Sequence, residues 1–214
     1  MDSPRIADLF FTTDLFHPDP LSVIDAIVSA GIRFATHGTY SHAMIISGVD
    51  PLTVISADAG GVSERAPETR EMESYSILTL KPEFDIPDET RQKIVTVCRG
   101  MVGKDYAFEE LPAYLLNLSI QMKRKLICSW VPWRGYTQNG IYLVERIMEG
   151  FVVPEVLYTS PMLQVVKQVA PKGESEGGTP EGAVYAALPL LLVAYCVMWP
   201  FLKIRNLFTH QKED

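Results

Sequence analysis

Two side chains lying far apart in this sequence are of the types that together perform acyl chemistry: the thiol of Cys128 and the imidazole of His42. Cys128 follows the apolar pair Leu126-Ile127 and precedes a stretch expected to be helical, so it stands near a helix N-terminus. The positive end of that helix, with Lys123-Arg124-Lys125 nearby, would lower the thiol pKa and favour the thiolate. The plain alternative is a buried cysteine acting as a small hydrophobe, and for the basic triplet a solvated or lipid-facing patch. His42 lies in Tyr40-Ser41-His42-Ala43-Met44-Ile45-Ile46, which reads as a strand apolar on both faces. Alternation puts His42, Met44 and Ile46 on one face and Ala43 and Ile45 on the other. An imidazole there titrates near neutrality and can serve as a general base. The alternative is a core histidine donating to a backbone carbonyl.

The elements that must position these two groups can be read from periodicity. Asp8 to Thr13 is a short apolar strand, and Ser22 to Thr36 has the spacing of a helix. Val49-Asp50-Pro51 turns the chain from the His42 strand into a strand over Thr53 to Asp58, which Gly60-Gly61 breaks. The charged run Ser63 to Ser74 reads as a surface loop, followed by a strand over Tyr75 to Leu80. Pro87 to Val102 is the clearest helix, with Asp85 as its cap and Ile94, Val95, Val97, Cys98, Met101 and Val102 in one apolar stripe. Cys98 belongs to that stripe, so packing is its expected role. Phe108 to Met122 is apolar and helical in pattern, and a further helix-like stretch runs near Ile141 to Met148.

Composition bounds the function. The 214 residues suit one domain with an appendage, and 47% hydrophobic residues can build a core. A net charge of −7 argues against nucleic acid as a partner. Three cysteines (Cys98, Cys128, Cys196) without a CxxC pair make no disulfide framework. The four histidines show no metal-ligand spacing with them, so neither a metal nor any other cofactor is expected.

Residues 170–182 (APKGESEGGTPEG) lack apolar anchors and read as a flexible linker. Beyond it, Ala183 to Leu202 is a run of 20 uncharged residues with aromatic residues near its ends. At about 1.5 Å per residue such a helix spans about 30 Å, the thickness of a bilayer core. The expected organisation is a domain over 1–169, the linker, a transmembrane helix over 183–202 and a polar tail over 203–214. No signal-peptide pattern opens the chain, which places the domain on the cytosolic side of the membrane. The helix flanks, Lys203 and Arg205 after it and Glu174, Glu176 and Glu181 before it, pull the other way.

Several short motifs carry a family resemblance. The permuted NlpC-type papain-like thiol hydrolases combine a G-D-L strand, an H-V-G-I strand, an I-H-A strand, a G-x-x-Y segment, a Cys-Ser at a helix start and a G-I-x-L segment. Here Ala7-Asp8-Leu9-Phe10-Phe11, Ser41-His42-Ala43-Met44-Ile45 and Val54-Ile55-Ser56-Ala57 are similar to the three strands, with Ala7 in place of Gly. Gly103-Lys104-Asp105-Tyr106, Ile127-Cys128-Ser129 and Gly140-Ile141-Tyr142-Leu143 are similar to the remaining three segments, in permuted order. Thr159-Ser160-Pro161 resembles a Ser-Pro landmark of the YiiX group. The resemblance covers residues 6–165.

The resemblance implies an α+β fold: a small, mostly antiparallel sheet packed on the Cys128 helix in a circularly permuted papain-like core. It implies a cysteine hydrolase or acyltransferase with Cys128 as nucleophile, His42 as base and Tyr106 beside the nucleophile. The third position, His in the ordinary order and usually Glu in the YiiX group, falls on Ser56, which offers an imidazolium no full charge. Asp58, two residues on and on the same strand face, is the other candidate, provided that a bulge or a water brings it to the ring. An acyl-containing substrate and the lipid bilayer are the implied partners. The membrane segment favours a lipid or lipid-linked substrate, as in the lecithin:retinol acyltransferase-like branch. A peptidoglycan amidase or endopeptidase, and a membrane-tethered binding module with a weakened site, are the alternatives.

Overall fold

The computed structural model describes residues 3–13, 38–58, 61–104, 128–144 and 152–169. The helix expected over 22–36, the apolar stretch over 108–122, the Lys123–Lys125 triplet, Tyr106, the linker and the apolar run of 183–202 lie outside these residues. No helix among the described residues is long and apolar enough to cross a membrane.

Six strands form one sheet in the order β4-β3-β2-β1-β5-β6, every neighbouring pair antiparallel. They are β1 (Leu9–Thr12), β2 (His42–Val49), β3 (Leu52–Asp58), β4 (Gly61–Arg65), β5 (Tyr75–Leu80) and β6 (Leu163–Val169). Three α-helices accompany them: α1 (Asp88–Arg99), α2 (Trp130–Thr137) and the short α3 (Pro154–Tyr158). The architecture is α+β.

The sheet separates two apolar layers by simple alternation. Leu9, Phe11, Ala43, Ile45, Ile55, Ala57, Leu78 and Leu80 point to the side of α1 and α2 and share a core with Ile94, Val95, Cys98, Val131 and Tyr136. Phe10, Met44, Ile46, Val54, Tyr75 and Ile77 form a second cluster from the opposite parity, with Phe10 stacked on Tyr75 at 5.0 Å. β1 and β2 occupy the middle of the sheet, which is why both read as apolar on both faces.

α1 and α2 meet at very short range. A Cβ at Gly135 would stand 2.5 Å from Cys98 Sγ, so only glycine permits this approach. Cys98 is fully buried and its thiol donates to Val131 O at 3.5 Å. Burial pushes its pKa up to about 12, which makes it a packing residue with no thiolate to offer.

A buried ion pair ties α1 to the first strand. Arg91 donates to Asp8 at 2.9 Å and to Asp85 at 2.8 Å, while Thr79 Oγ1 and the Arg5 N–H also donate to Asp8. Burial pushes the Asp8 carboxyl up, against those donors. Beside a guanidinium that keeps its proton, the carboxylate is the state this geometry supports. Asp85, expected as the cap of α1, instead binds Arg5 and Arg91, and the helix begins after Pro87 without a side-chain cap. Ala7 holds φ at 68°, a left-handed conformation that suits glycine, and its carbonyl accepts from Tyr136. That conformation accounts for the glycine that the resembled strand motif carries there.

Three local expectations are corrected. The charged run after Gly61 is not wholly a loop, because Gly61–Arg65 is the edge strand β4, paired with β3 from Val54↔Arg65 to Asp58↔Gly61 in unbroken register. No bulge therefore carries Asp58 out of line. Residues 141–144 are not helical, and the C-terminal part of the described chain adds α3 and the second edge strand β6.

Candidate active site

Cys128 and His42 are brought together where the start of β2 meets the start of α2. His42 is the first residue of β2, and Cys128 lies two residues before α2, with Ser129 as the cap position. Ser129 Oγ donates to the Val152 carbonyl at the beginning of the helix. The thiol of Cys128 is 3% exposed and its sulfur stands 4.0 Å from Ser41 O. Burial raises the pKa of such a thiol, yet here the net direction is downward. The positive charge of His42, a hydrogen bond with its ring, and the backbone N–H groups of Ala43 and Ser129 outweigh the burial.

The other side of the imidazole is also engaged. His42 Nε2 lies 2.9 Å from Ser56 Oγ, and Ser56 is fully buried. With Nε2 turned to Ser56, Nδ1 is the ring nitrogen left to serve the sulfur. When His42 is cationic, Nε2–H donates to the serine oxygen. Ser56 is thus the direct ring partner, at the position where the resemblance places the third group.

Asp58 shares the strand face of Ser56 but stands half-exposed, its carboxylate 3.7 Å from Arg65 Nη2. Arg65 is gripped on its other side by Glu71 through two bonds of 2.8 Å. Glu71 is 4% exposed and also accepts the Glu68 N–H at 2.6 Å. Burial raises the Glu71 pKa, but Arg65, the Glu68 N–H and the charge of His42 carry it below the usual carboxylate range. Glu71 was hidden in the sequence, inside a polar run with nothing to single it out. Across β1, Thr12 is the register partner of His42, and its buried hydroxyl has no hydrogen-bond partner among the described residues. Ser160, the landmark near the end of the resemblance, donates to the Leu143 carbonyl and so joins two of the matched segments.

Neither a protein-family model nor a curated protein matches the sequence. Among solved structures, the chain shares the fold of the crystal structure of metalloprotein YiiX from Escherichia coli O157:H7. The TM-score is 0.58 at 19% identity, over 78% of this chain and 99% of that one. The likeness supports a YiiX-like α+β fold.

Proposed function

We propose that this protein is a membrane-anchored cysteine hydrolase or acyltransferase that cleaves an amide or ester bond through Cys128 and His42. The observation that carries the proposal is the state of Cys128: a fully buried thiol whose pKa is lowered by the imidazole beside it. A structural cysteine in the same burial moves the other way, as Cys98 does.

The chemistry follows from that pair. His42 takes the thiol proton at Nδ1, leaving a thiolate and an imidazolium whose Nε2–H bonds to Ser56. The sulfur forms a bond to the substrate carbonyl carbon, and the carbonyl oxygen becomes an oxyanion that backbone N–H groups at the start of α2 stabilise. The tetrahedral adduct collapses, the carbon–oxygen or carbon–nitrogen bond breaks, and His42 returns its proton to the leaving group. Water or an acceptor alcohol or amine then gives its proton to His42 and attacks the thioester, freeing Cys128. Tyr106 is proposed to lie beside this nucleophile and help to hold the oxyanion, by resemblance alone.

The YiiX structure is described as that of a metalloprotein. Among the described residues no three His, Cys, Asp or Glu side chains converge as ligands, and Cys128 with His42 falls short of the three or four protein donors of a zinc site.

The proposed substrate is a lipid or lipid-linked acyl compound, supported by the apolar run of 183–202. Incubating the full-length protein with mixed phospholipids and, separately, with cell-wall fragments tests this by mass spectrometry. Release or transfer of an acyl chain by wild type and not by Cys128→Ala is the expected result. Turnover of cell-wall fragments alone would replace the lipid substrate with a peptidoglycan one, and no acyl–Cys128 adduct with any substrate would sink the chemistry.

A further inference from the structure

Arg134 is the one charged residue of α2, and with Trp130 and Thr137 it forms the face that the helix turns away from the core. Helical side chains lean toward the N-terminus, and Arg134 does so. The central carbon of its guanidinium lies 4.6 Å from the centroid of the Trp130 ring. Trp130 opens α2, and Cys128 lies two residues before it. The cation is therefore drawn back over the first turn of the helix, beside the nucleophile. We propose that Arg134 binds the phosphodiester of the acyl substrate, which makes that substrate a glycerophospholipid. The inference rests on the Cys128–His42 reading and deepens it by naming the group next to the bond that is cleaved.

Two features separate Arg134 from a cation engaged in holding the fold. Arg5, Arg65, Arg70, Arg91 and Arg99 each pair with a carboxylate. No carboxylate of the described residues pairs with Arg134. Its guanidinium is supported instead by neutral groups, which fix its direction and leave its charge uncompensated. One face lies on the Trp130 ring. One edge is taken by Gln138, whose amide oxygen, turned to the guanidinium, accepts from Nε at 2.9 Å and from Nη2 at 3.2 Å. The guanidinium is a planar fork of donors, so the edge formed by Nη1 and Nη2 remains for two oxygens of a ligand. Phosphate and carboxylate both bind an arginine edge in this bidentate way.

Position and the apolar run decide between the two anions. The two residues from Cys128 to Trp130 advance the chain by about 3 Å along a helix axis, so the anion lies close to the attacked carbonyl. In a glycerophospholipid the acyl ester and the phosphate hang on one glycerol, a few bonds apart, which matches that closeness. A carboxylate beside an amide, as in a cell-wall peptide, would fit the same edge. The 20 uncharged residues of 183–202 favour the lipid.

The test is binding to the full-length protein carrying Cys128→Ala, which holds a substrate without consuming it. Dihexanoyl phosphatidylglycerol, dihexanoylglycerol, inorganic phosphate and cell-wall peptides are titrated separately by calorimetry. Adding Arg134→Gln is expected to weaken phosphatidylglycerol binding about tenfold and to leave the phosphate-free diacylglycerol unchanged. An unchanged affinity for phosphatidylglycerol overturns the proposal. Inorganic phosphate is expected to bind far more weakly than phosphatidylglycerol, and equal affinities would overturn the lipid as the source of the phosphate. A cell-wall peptide that binds through Arg134 while phosphatidylglycerol does not would overturn it as well. Where Arg134→Gln fails to fold, Arg134→Lys, which keeps the charge but loses the fork, is read instead. A smaller weakening is then expected, and an unchanged affinity overturns the proposal. Acyl release by the wild type separates the two levels. Phosphatidylglycerol bound through Arg134 but never cleaved would remove the Cys128–His42 reading alone, whereas cleavage indifferent to Arg134→Gln would remove the role of Arg134 alone.

Discussion

At the scale of single residues, the site is defined by opposite treatments of two buried thiols. Cys98 sits among apolar side chains with its pKa pushed up to about 12, while Cys128 is drawn down by His42. The reactive species is the thiolate, whose fraction grows as pH rises, so a lowered pKa moves the onset of labelling to lower pH. Iodoacetamide should therefore label Cys128 at neutral pH and leave Cys98 unmodified to about pH 9. In His42→Ala, only the backbone N–H groups of Ala43 and Ser129 remain to oppose burial at Cys128, so labelling should shift to higher pH. Equal labelling of both cysteines at neutral pH would refute the assignment. On turnover, Cys128→Ala and His42→Ala should each cost at least about a hundredfold, the usual scale for a nucleophile or its base. Thr12 gives a stability prediction at the same scale. Its buried hydroxyl has no partner among the described residues, and valine has the same shape without the polar atom. Thr12→Val should stabilise the protein by about 1 kcal/mol in urea unfolding, and a loss of stability would show that the hydroxyl is satisfied in solution.

At the scale of elements, the legible and illegible parts of the sequence divide by position in the sheet. β1, β2, β3 and β5 are apolar enough to be read directly, because strands covered on both faces must be. β4 and β6 lie at the two edges, where one side of the strand meets water and charged residues discourage further pairing. Ser63, Glu64 and Arg65 in one therefore read as loop, and Gln164, Lys167 and Gln168 leave the other without a strand signature. The same difference governs the site. His42 and Ser56 lie on legible strands, and alternation puts them on one face of the sheet. Glu71 lies in a polar connection, and only the tertiary arrangement reveals that its carboxylate is buried. The expectation that Asp58 would reach His42 required a bulge at the end of β3 or a bridging water, and the unbroken register to Gly61 supplies no bulge. α1 is held by its contacts more than by its cap. The buried Arg91 joins it to Asp8 on β1, so Arg91→Leu leaves a buried carboxylate without its cation. A loss of about 3–5 kcal/mol is expected from denaturant unfolding. The exposed Arg99–Glu64 pair, broken by Arg99→Ala, should cost no more than about 1 kcal/mol. Similar losses for both would mean that burial does not set the strength of the Arg91 contact.

At the scale of the whole molecule, the six described strands all precede the apolar run. β6 runs to Val169, whose register partner Tyr75 opens β5, so the last described strand spans the whole of its neighbour. A cut after Ala170 removes no residue that any described strand uses. The chain beyond it holds the 20 uncharged residues of 183–202, long enough as a helix to cross about 30 Å of hydrocarbon. Pro189 and Pro200 would kink or end such a helix, and transmembrane helices tolerate proline because neighbouring groups can satisfy the freed backbone atoms. The truncated protein is therefore expected to fold, to show the same two-state unfolding as the full chain and to remain in the supernatant after ultracentrifugation. The full chain is expected to sediment with membranes and to resist alkaline carbonate extraction. Labelling of Cys128 in the truncated form should match that in the full chain, since the pair is built from β2 and the start of α2. Turnover of lipid presented in vesicles should fall on truncation, whereas turnover of the same acyl group in a short-chain, dispersed substrate should not. A truncated protein that still sediments would place membrane affinity in the domain itself, and a full chain that stays in solution would remove the ground for preferring a lipid substrate.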